Sequence, residues 1–498
     1  MSMKPHIHVA IVGAGFSGLG AAIRLAQKDQ DDFLVFERAD ELGGTWRDNS
    51  YPGAACDVMS LLYSFSFAPY SGWMTTFGKR DEIFAYLLRT AEQFGVRERV
   101  RFGHDLEHAR WDDEAKLWHI RTSRGDWTAD VLVLGTGYLS EPSMPELPGL
   151  ESFEGVAVHS SRWDHSLDLK GKRVGVIGTG ASAIQIIPSI QPDVASLAIY
   201  QRTPAWVAPK PDRKISALQL GLRRAVPGYQ RFRRLFNKYG REIVVALLSQ
   251  PNLMRKTLQR NALANLHTTI PEGPLRNALT PDYVAGCKRV LFSNTYYPAL
   301  ASANVDLVPV AVTGVDGLRV LAGDDVRELD VLVFATGFQA VARPIARLIE
   351  DAEGRTLAEH WALGASAHLG STVSGFPNLF ILMGPNTALG HSSQTVMIEA
   401  QLNYLLSALD AMRERGFQAF EVRREVQDRY DTMLRRRFAG TVWQDGGCAS
   451  WYADDSGRNT SIWPSTTTRF ERMTSKFSPS DHLLTTVSAR ARGLVTEG

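Results

Sequence analysis

Two short stretches, Gly13-Ala14-Gly15-Phe16-Ser17-Gly18 and Gly178-Thr179-Gly180-Ala181-Ser182-Ala183, repeat one spacing of small residues within a single chain. Each comes after an apolar run (residues 9–12 and 173–177) and leads into a stretch of helix-forming residues (19–27, and from Ile184 onward). Strand, tight turn and helix are therefore predicted twice. In such a unit the first small residue permits the turn and the second lets the backbone approach a pyrophosphate. The third allows close helix-to-strand packing, with the helix N-terminus facing the phosphates. Ala183 stands at the third position of the second unit, which this kind of turn tolerates. A chain with two such units is expected to be α/β, with two Rossmann-like dinucleotide-binding domains.

The end of the next strand distinguishes the two units. Residues 33–36 form that predicted strand in the first unit and end in Glu37, about where a carboxylate accepts ribose hydroxyls. The corresponding strand of the second unit, residues 197–200, ends in Gln201-Arg202-Thr203-Pro204. With no acid there, Arg202 and Thr203 suit a 2′-phosphate, and NADPH is expected over NADH. A charge-assisted hydrogen bond is worth roughly 1.5–3 kcal/mol, or about 10- to 150-fold in affinity.

Composition excludes several other classes. The net charge is +2 over 498 residues, so no global field recruits nucleic acid or an anionic membrane. No apolar run is long enough to span a bilayer, and the first residues show no secretory h-region, so a cytoplasmic protein without integral membrane contact is expected. The three cysteines, Cys56, Cys287 and Cys448, fall in no metal-ligand or C-x-x-C spacing. That argues against a metal site and a redox-active disulfide, and suits a reducing compartment.

Between the two units, Phe153, Gly155, His159, Trp163 and Asp164 form F-x-G-x-x-x-H-x-x-x-W-D. Read as residues alone, Gly155 makes a turn, His159 a core hydrogen bond and Trp163 a packing contact. As a pattern, the stretch resembles the fingerprint of the type I Baeyer–Villiger monooxygenases. Gly43-Gly44-Thr45-Trp46, followed by Tyr51-Pro52-Gly53 and Asp57, is similar to a second signature of that family. The resemblance implies that Gly44, Thr45, Trp46 and Asp57 lie along FAD, with Tyr63 beside them. It places Lys288 and Arg289 on the nicotinamide cofactor and presents Arg289 to the flavin. It also makes Ser450-Trp451-Tyr452 a tail whose Trp451 closes over NADP and substrate. The implied reaction uses NADPH and O₂ to form a flavin C4a-peroxide that converts a ketone to an ester or lactone. Arg289 is then the fixed cation of catalysis and Asp57 the group that orients it. The tail departs from the pattern after Tyr452, and Ala55 replaces an arginine common in relatives, so the ketone stays open.

The expected organisation is an FAD-binding domain (1–151 and 339–498, with the tail), an NADP-binding domain (152–207 and 286–338) and a helical insertion (208–285). Strands are expected at 305–308 and 331–334, with a further buried strand and turn over 376–386, and Gly390-His391-Ser392-Ser393 opens a helix whose N-terminus can stabilise negative charge on a reduced flavin. Val422, Val426, Tyr430 and Leu434 are expected on a last amphipathic helix. In the insertion, Leu218, Leu222, Phe232, Leu235, Phe236 and Tyr239 recur at helical spacing among arginines and lysines. The expectation is a packed apolar stripe under a solvated basic face, with peripheral membrane docking as the alternative. Three other functions stay open: a flavin-containing or N-hydroxylating monooxygenase acting on amines or sulfides, a disulfide reductase, for which no cysteine pair is visible, and a non-catalytic NADP-binding flavoprotein sensor. Oligomeric state is not legible.

Overall fold

A computed structural model describes residues 4–248, 255–448 and 450–486. The chain's first three residues and 487–498, which the expected organisation assigns to the FAD-binding domain and tail, lie outside the described residues. Two sheets organise the rest. The first runs in the order Ile349–Glu350, Leu106–Asp112, Leu117–Thr122, Gly125–Leu134, His6–Val12, Phe33–Glu37 and Val100–Phe102, with Leu379–Ile381 also paired to Gly125–Leu134. The second runs Val305–Val308, Ser196–Tyr200, Arg173–Ile177, Val331–Phe334 and Val156–His159, all parallel. Central strands of both sheets are apolar on both faces because helices and connections cover them, as a parallel sheet requires.

Register brings the strand ends together. Val12 pairs with Phe36 and Leu134, and Ile381 also pairs with Leu134. The turn after Val12, Glu37, and the turns after Leu134 and Ile381 therefore share one carboxyl edge, where open α/β sheets bind ligands. In the second sheet Ile177 pairs with Tyr200 and Phe334, and Phe334 pairs with His159, forming an equivalent edge.

The stretch 153–164 joins the two sheets and does not enter either crevice as a ligand group. His159 sits at a strand end with Nδ1 2.8 Å from the Ser161 hydroxyl and Nε2 3.1 Å from the Gly337 carbonyl oxygen. Trp163 is buried in the core of the second sheet. A Cβ on Gly155 would stand 2.6 Å from the Asp330 carbonyl oxygen. The fingerprint thus holds the crossing between sheets. A second tie is Gln185 on the Ala183–Ile190 helix, whose side chain accepts from the Tyr51 hydroxyl at 3.0 Å and the Ala55 N–H at 3.2 Å, and donates to the Ala55 carbonyl at 3.0 Å.

Three expectations need correction. The insertion is helical (Ala217–Ala225, Tyr229–Leu248, Arg260–Thr269, Pro274–Leu279), but its first two helices face the opposite way from the one expected. Leu218, Leu222, Phe232, Leu235, Phe236 and Tyr239 are exposed, while Arg234 and Lys238 turn inward. Periodicity locates a stripe; it does not say which stripe meets the body. Val422 ends the strand Phe417–Val422, so it is not on the Arg424–Phe438 helix, and Val442–Asp445 and Thr467–Met473 are further helices. Finally, Cys287 and Cys448, 161 residues apart in sequence, form a disulfide and leave Cys56 free and buried. Spacing rules detect only local pairs, so the cysteines no longer speak for a reducing compartment.

Candidate active site

The first crevice starts at Gly13, whose φ of 95° is open to glycine and strained for other residues. A Cβ on Gly18 would lie 1.7 Å from the Gly13 carbonyl oxygen, so the helix can begin here only on glycine. Glu37 is 4 % exposed and accepts hydrogen bonds from the Ala14 N–H at 2.8 Å, the Ala39 N–H at 3.0 Å and Arg47 at 3.0 Å. A carboxylate offers about four acceptor positions, which leaves capacity for a ribose hydroxyl. Gly44 backs onto the turn, where a Cβ would come within 3.1 Å of the Gly15 Cα. Thr45 opens the short helix Thr45–Asp48, and its Trp46 donates to the Tyr63 hydroxyl at 3.0 Å. Phe16 meets Tyr63 edge-on at 5.2 Å, and Ser17 is buried below.

At the far side of the same edge, the Gln394–Arg415 helix begins beside polar atoms with no protein partner: both ring nitrogens of buried His391, the Ser392 hydroxyl and the Gln394 carbonyl oxygen. Burial first, then the nearby Arg241 charge, pulls the His391 imidazole down to about 3, so the ring is neutral. Buried polar groups normally find partners. A neutral donor–acceptor set at a helix N-terminus suits the polar edge of a flavin, and with the glycine cradle and Glu37 the crevice fits FAD.

The second crevice repeats the turn and changes the chemistry. Gly178 has φ 107°, and a Cβ there would meet the Ala335 carbonyl oxygen at 2.6 Å. Around Gly180 a Cβ would meet nothing within 4 Å, which leaves the room a pyrophosphate needs. Ala181 and Ser182 lie at this open side, and Ala183 is buried as the helix starts. The Thr179 hydroxyl donates to the Thr203 carbonyl at 3.1 Å, and Arg202 is exposed at the rim. Lys288 lies 5.1 Å over the Tyr283 ring, and its pKa is lowered by burial and then by the Arg202 charge. Two neighbouring cations fit a phosphate placed between them. The donor set suits NADPH.

Between the crevices Arg289 grips Asp57 with two hydrogen bonds, Nε to Oδ2 at 2.9 Å and Nη2 to Oδ1 at 2.8 Å. The Arg289 side chain keeps 30 % of its surface open. Its pKa is raised, first by the Asp57 carboxylate, so it stays charged at any working pH. Tyr138 and Tyr452 lie close enough to feel the Arg289 charge, and burial pushes both hydroxyls up, so both stay protonated. Trp451 stacks on Tyr138 with ring centres 6.1 Å apart, and Gln394 donates to the Tyr138 hydroxyl at 3.1 Å. The disulfide ties the residue before Lys288-Arg289 to the tail that carries Trp451. Beside this group is a cavity of about 560 Å³ whose lining includes Asp57, Phe77, Lys210, Arg241 and Phe292.

Residue types and spacing did not single out Arg47, Tyr138, Arg241 or Gln185. Tyr138 directly succeeds the 135–137 turn and could have been marked from it. Arg241 comes from the helical insertion, and no local pattern announces that it lines the same cavity as Asp57. Among the described residues no group of acids, histidines and cysteines is arranged to hold a metal, and no helix is long and apolar enough to cross a membrane.

Comparison with known proteins agrees with this geometry. Residues 6–249 match the family described as flavin-binding monooxygenase-like. The chain is 49 % identical to a Baeyer–Villiger monooxygenase of Streptomyces coelicolor over 94 % of its own length and 91 % of the relative's. It is 46 % identical to a Baeyer–Villiger monooxygenase of Pseudomonas aeruginosa over 98 % and 93 %. Its fold is similar to that of cyclohexanone monooxygenase from Rhodococcus sp. Phi1 bound to NADP⁺, with a TM-score of 0.86 and 25 % identity over 97 % of this chain and 100 % of that one. A steroid monooxygenase bound to NADP superposes with a TM-score of 0.86 at 28 % identity, over the same shares. This chain's cofactors are FAD and NADPH, and it belongs to the type I, flavin-dependent Baeyer–Villiger monooxygenases.

Proposed function

We propose that Arg289, held by Asp57, is the fixed cation that makes oxygen insertion next to a ketone carbonyl possible in this chain. The overall reaction is that of the family: ketone, O₂, NADPH and a proton give an ester or lactone, NADP⁺ and water. One carbon–carbon bond beside the carbonyl breaks, and two bonds to the inserted oxygen form. FAD, when bound, would supply the hydride-accepting and oxygen chemistry that no side chain here can. The protein's part is positioning and electrostatics. A guanidinium has five N–H donors, and Asp57 engages two, so the others are available to negative charge developing on oxygen. Because Asp57 fixes the plane of the guanidinium, little reorganisation is needed when that charge appears.

In this reading Gly13, Gly15, Phe16, Ser17, Gly18, Glu37, Gly44, Thr45, Trp46 and Tyr63 bind FAD. Gly178 to Ala183, Arg202, Thr203 and Lys288 bind NADPH, and Trp451 covers the nicotinamide end. The FAD-binding part comprises 1–151 and 339–498 and the NADP-binding part 152–207 and 286–338, with 208–285 inserted. Support comes from strand membership: Leu379–Ile381 returns to the first sheet, and Val331–Phe334 belongs to the second. The cytoplasm, where NADPH is supplied, is the proposed workplace.

The single observation that carries the proposal is the two-point Asp57–Arg289 pair between the two crevices, with donors to spare. Product analysis on linear, cyclic and aryl ketones under isotope-labelled dioxygen tests it. One labelled oxygen per ester is expected. With an amine and a sulfide assayed beside the ketones, labelled N- or S-oxides and no ester from any ketone would overturn it, and so would NADPH consumption that no substrate accelerates.

A further inference from the structure

The first two helices of the insertion are inverted amphipaths. On the Tyr229–Leu248 helix the polar side is bound to the body of the protein. Arg234 donates to the carbonyls of Leu61 at 3.1 Å, Leu62 at 3.2 Å and Ser64 at 2.6 Å, and pairs with Glu399 at 3.3 Å. Lys238 pairs with Glu471, Glu242 accepts from the Thr467 N–H at 3.0 Å, and Arg241 faces the cavity that Asp57 lines. The opposite side carries Phe232, Leu235, Phe236, Tyr239 and Ile243, one stripe at helical spacing, each between 41 % and 65 % exposed. The Ala217–Ala225 helix repeats the arrangement. Arg223 donates inward to the Trp73 carbonyl at 3.4 Å, and Leu218 and Leu222 are exposed.

A contiguous apolar face of this kind on a water-soluble surface marks a contact site. Its rim identifies the partner. Arg213, Lys214, Arg224, Arg231 and Arg233 are all exposed, and from Arg213 to Arg241 the sequence contains no Asp or Glu. A second copy of the same face would bring these cations together with no carboxylate between them. A surface of lipid phosphates would neutralise them while the aromatic and aliphatic side chains enter the acyl boundary.

We infer that this face docks on an anionic phospholipid bilayer. The helices need no rearrangement to do so, because the hydrogen bonds of Arg223, Arg234 and Glu242 to the body stay made while the apolar side enters the membrane. The same helix then presents Arg241 to the cavity from its inner side. If the proposed ketone reaction holds, an apolar ketone dissolved in the bilayer has a short route to that cavity, while the docking itself stands without it.

Flotation of the FAD-loaded protein tests the inference, with vesicles of phosphatidylcholine alone and of phosphatidylcholine mixed with phosphatidylglycerol. Binding is expected to the mixed vesicles, at least tenfold weaker to the neutral ones, and falling as salt rises. Neutralising Arg224, Arg231 and Arg233 to Gln should weaken binding on the order of a hundredfold, about fivefold for each charge. Phe232→Ser with Phe236→Ser and Ile243→Ser should abolish it. Retained flavin absorbance shows that the variants fold, and the salt titration of the parent protein is decisive even where one does not. No flotation with anionic vesicles at low salt would overturn the inference, as would binding indifferent to salt or to both sets of substitutions. A concentration-dependent dimer that the serine variant dissolves would assign the face to a second copy.

Discussion

At the first turn the strand after the helix ends in Glu37, a buried carboxylate already holding Ala14, Ala39 and Arg47; at the second it ends in Gln201 and the exposed Arg202. The turns before them are near copies, with Gly13 and Gly178 at positive φ against the backbone of a neighbouring strand's turn. The third position differs with the packing. Gly18 has no room for a Cβ, whereas Ala183 fits its helix into a buried site. One motif thus stands beside a buried carboxylate in the first unit and a rim arginine in the second, and the difference lies in what surrounds the glycines.

The largest expected break comes from Glu37→Ala. It leaves two backbone N–H groups without their acceptor and Arg47 with Asp48 as its remaining carboxylate partner, at a cost of about 1–3 kcal/mol for each unsatisfied group. FAD affinity should fall roughly a hundredfold to a thousandfold. Flavin content after gel filtration reads this out, and a fully yellow variant would break the comparison. Arg202→Ala comes next: FAD is retained, while the preference for NADPH over NADH, measured as a ratio of kcat/KM values, drops about 10- to 150-fold. An unchanged ratio would show that the rim arginine reads nothing.

Gly180→Ala sharpens the contrast between cradle and packing. Since a Cβ there meets no protein atom, Tm should hold or rise slightly, while KM for NADPH increases about fivefold. A fall in Tm would mean that Gly180 serves the fold. The smallest effect is the pH dependence of Lys288. Burial and Arg202 lower its pKa, so as pH rises it loses its proton earlier than an ordinary lysine, and NADPH binding weakens toward the alkaline end. Lys288→Arg should flatten that profile; an identical slope in the variant would remove Lys288 from the site.

Much of the fold was legible because its signals are local. Apolar runs, glycine turns and the acid-or-arginine choice at 37 and 202 lie within one βαβ unit, and register then comes from strand pairing. What was not legible travels through tertiary contact. Gln185 clasps the 51–55 loop from the other unit, and Arg241 arrives from an inserted helix. Cys287 meets Cys448 across 161 residues. The facing of the insertion is not legible for a physical reason: ion pairs such as Lys238–Glu471 and Arg234–Glu399 hold its polar side inward, and the partner acids lie in distant sequence. In the sequence His391 stands out only as part of a glycine-serine loop. Its two unpartnered nitrogens become informative once burial is known.

Arg289 is where the two crevices meet, and Arg289→Ala is the most direct test of the account. The measurement is the ratio of ester formed to NADPH consumed, with flavin bleaching followed in the same sample. The predicted result is that NADPH still bleaches the flavin while ester formation falls about 10²–10³-fold, the scale of losing one preorganised charge contact. Ester formed at the parent rate, with the parent ratio, would contradict the account.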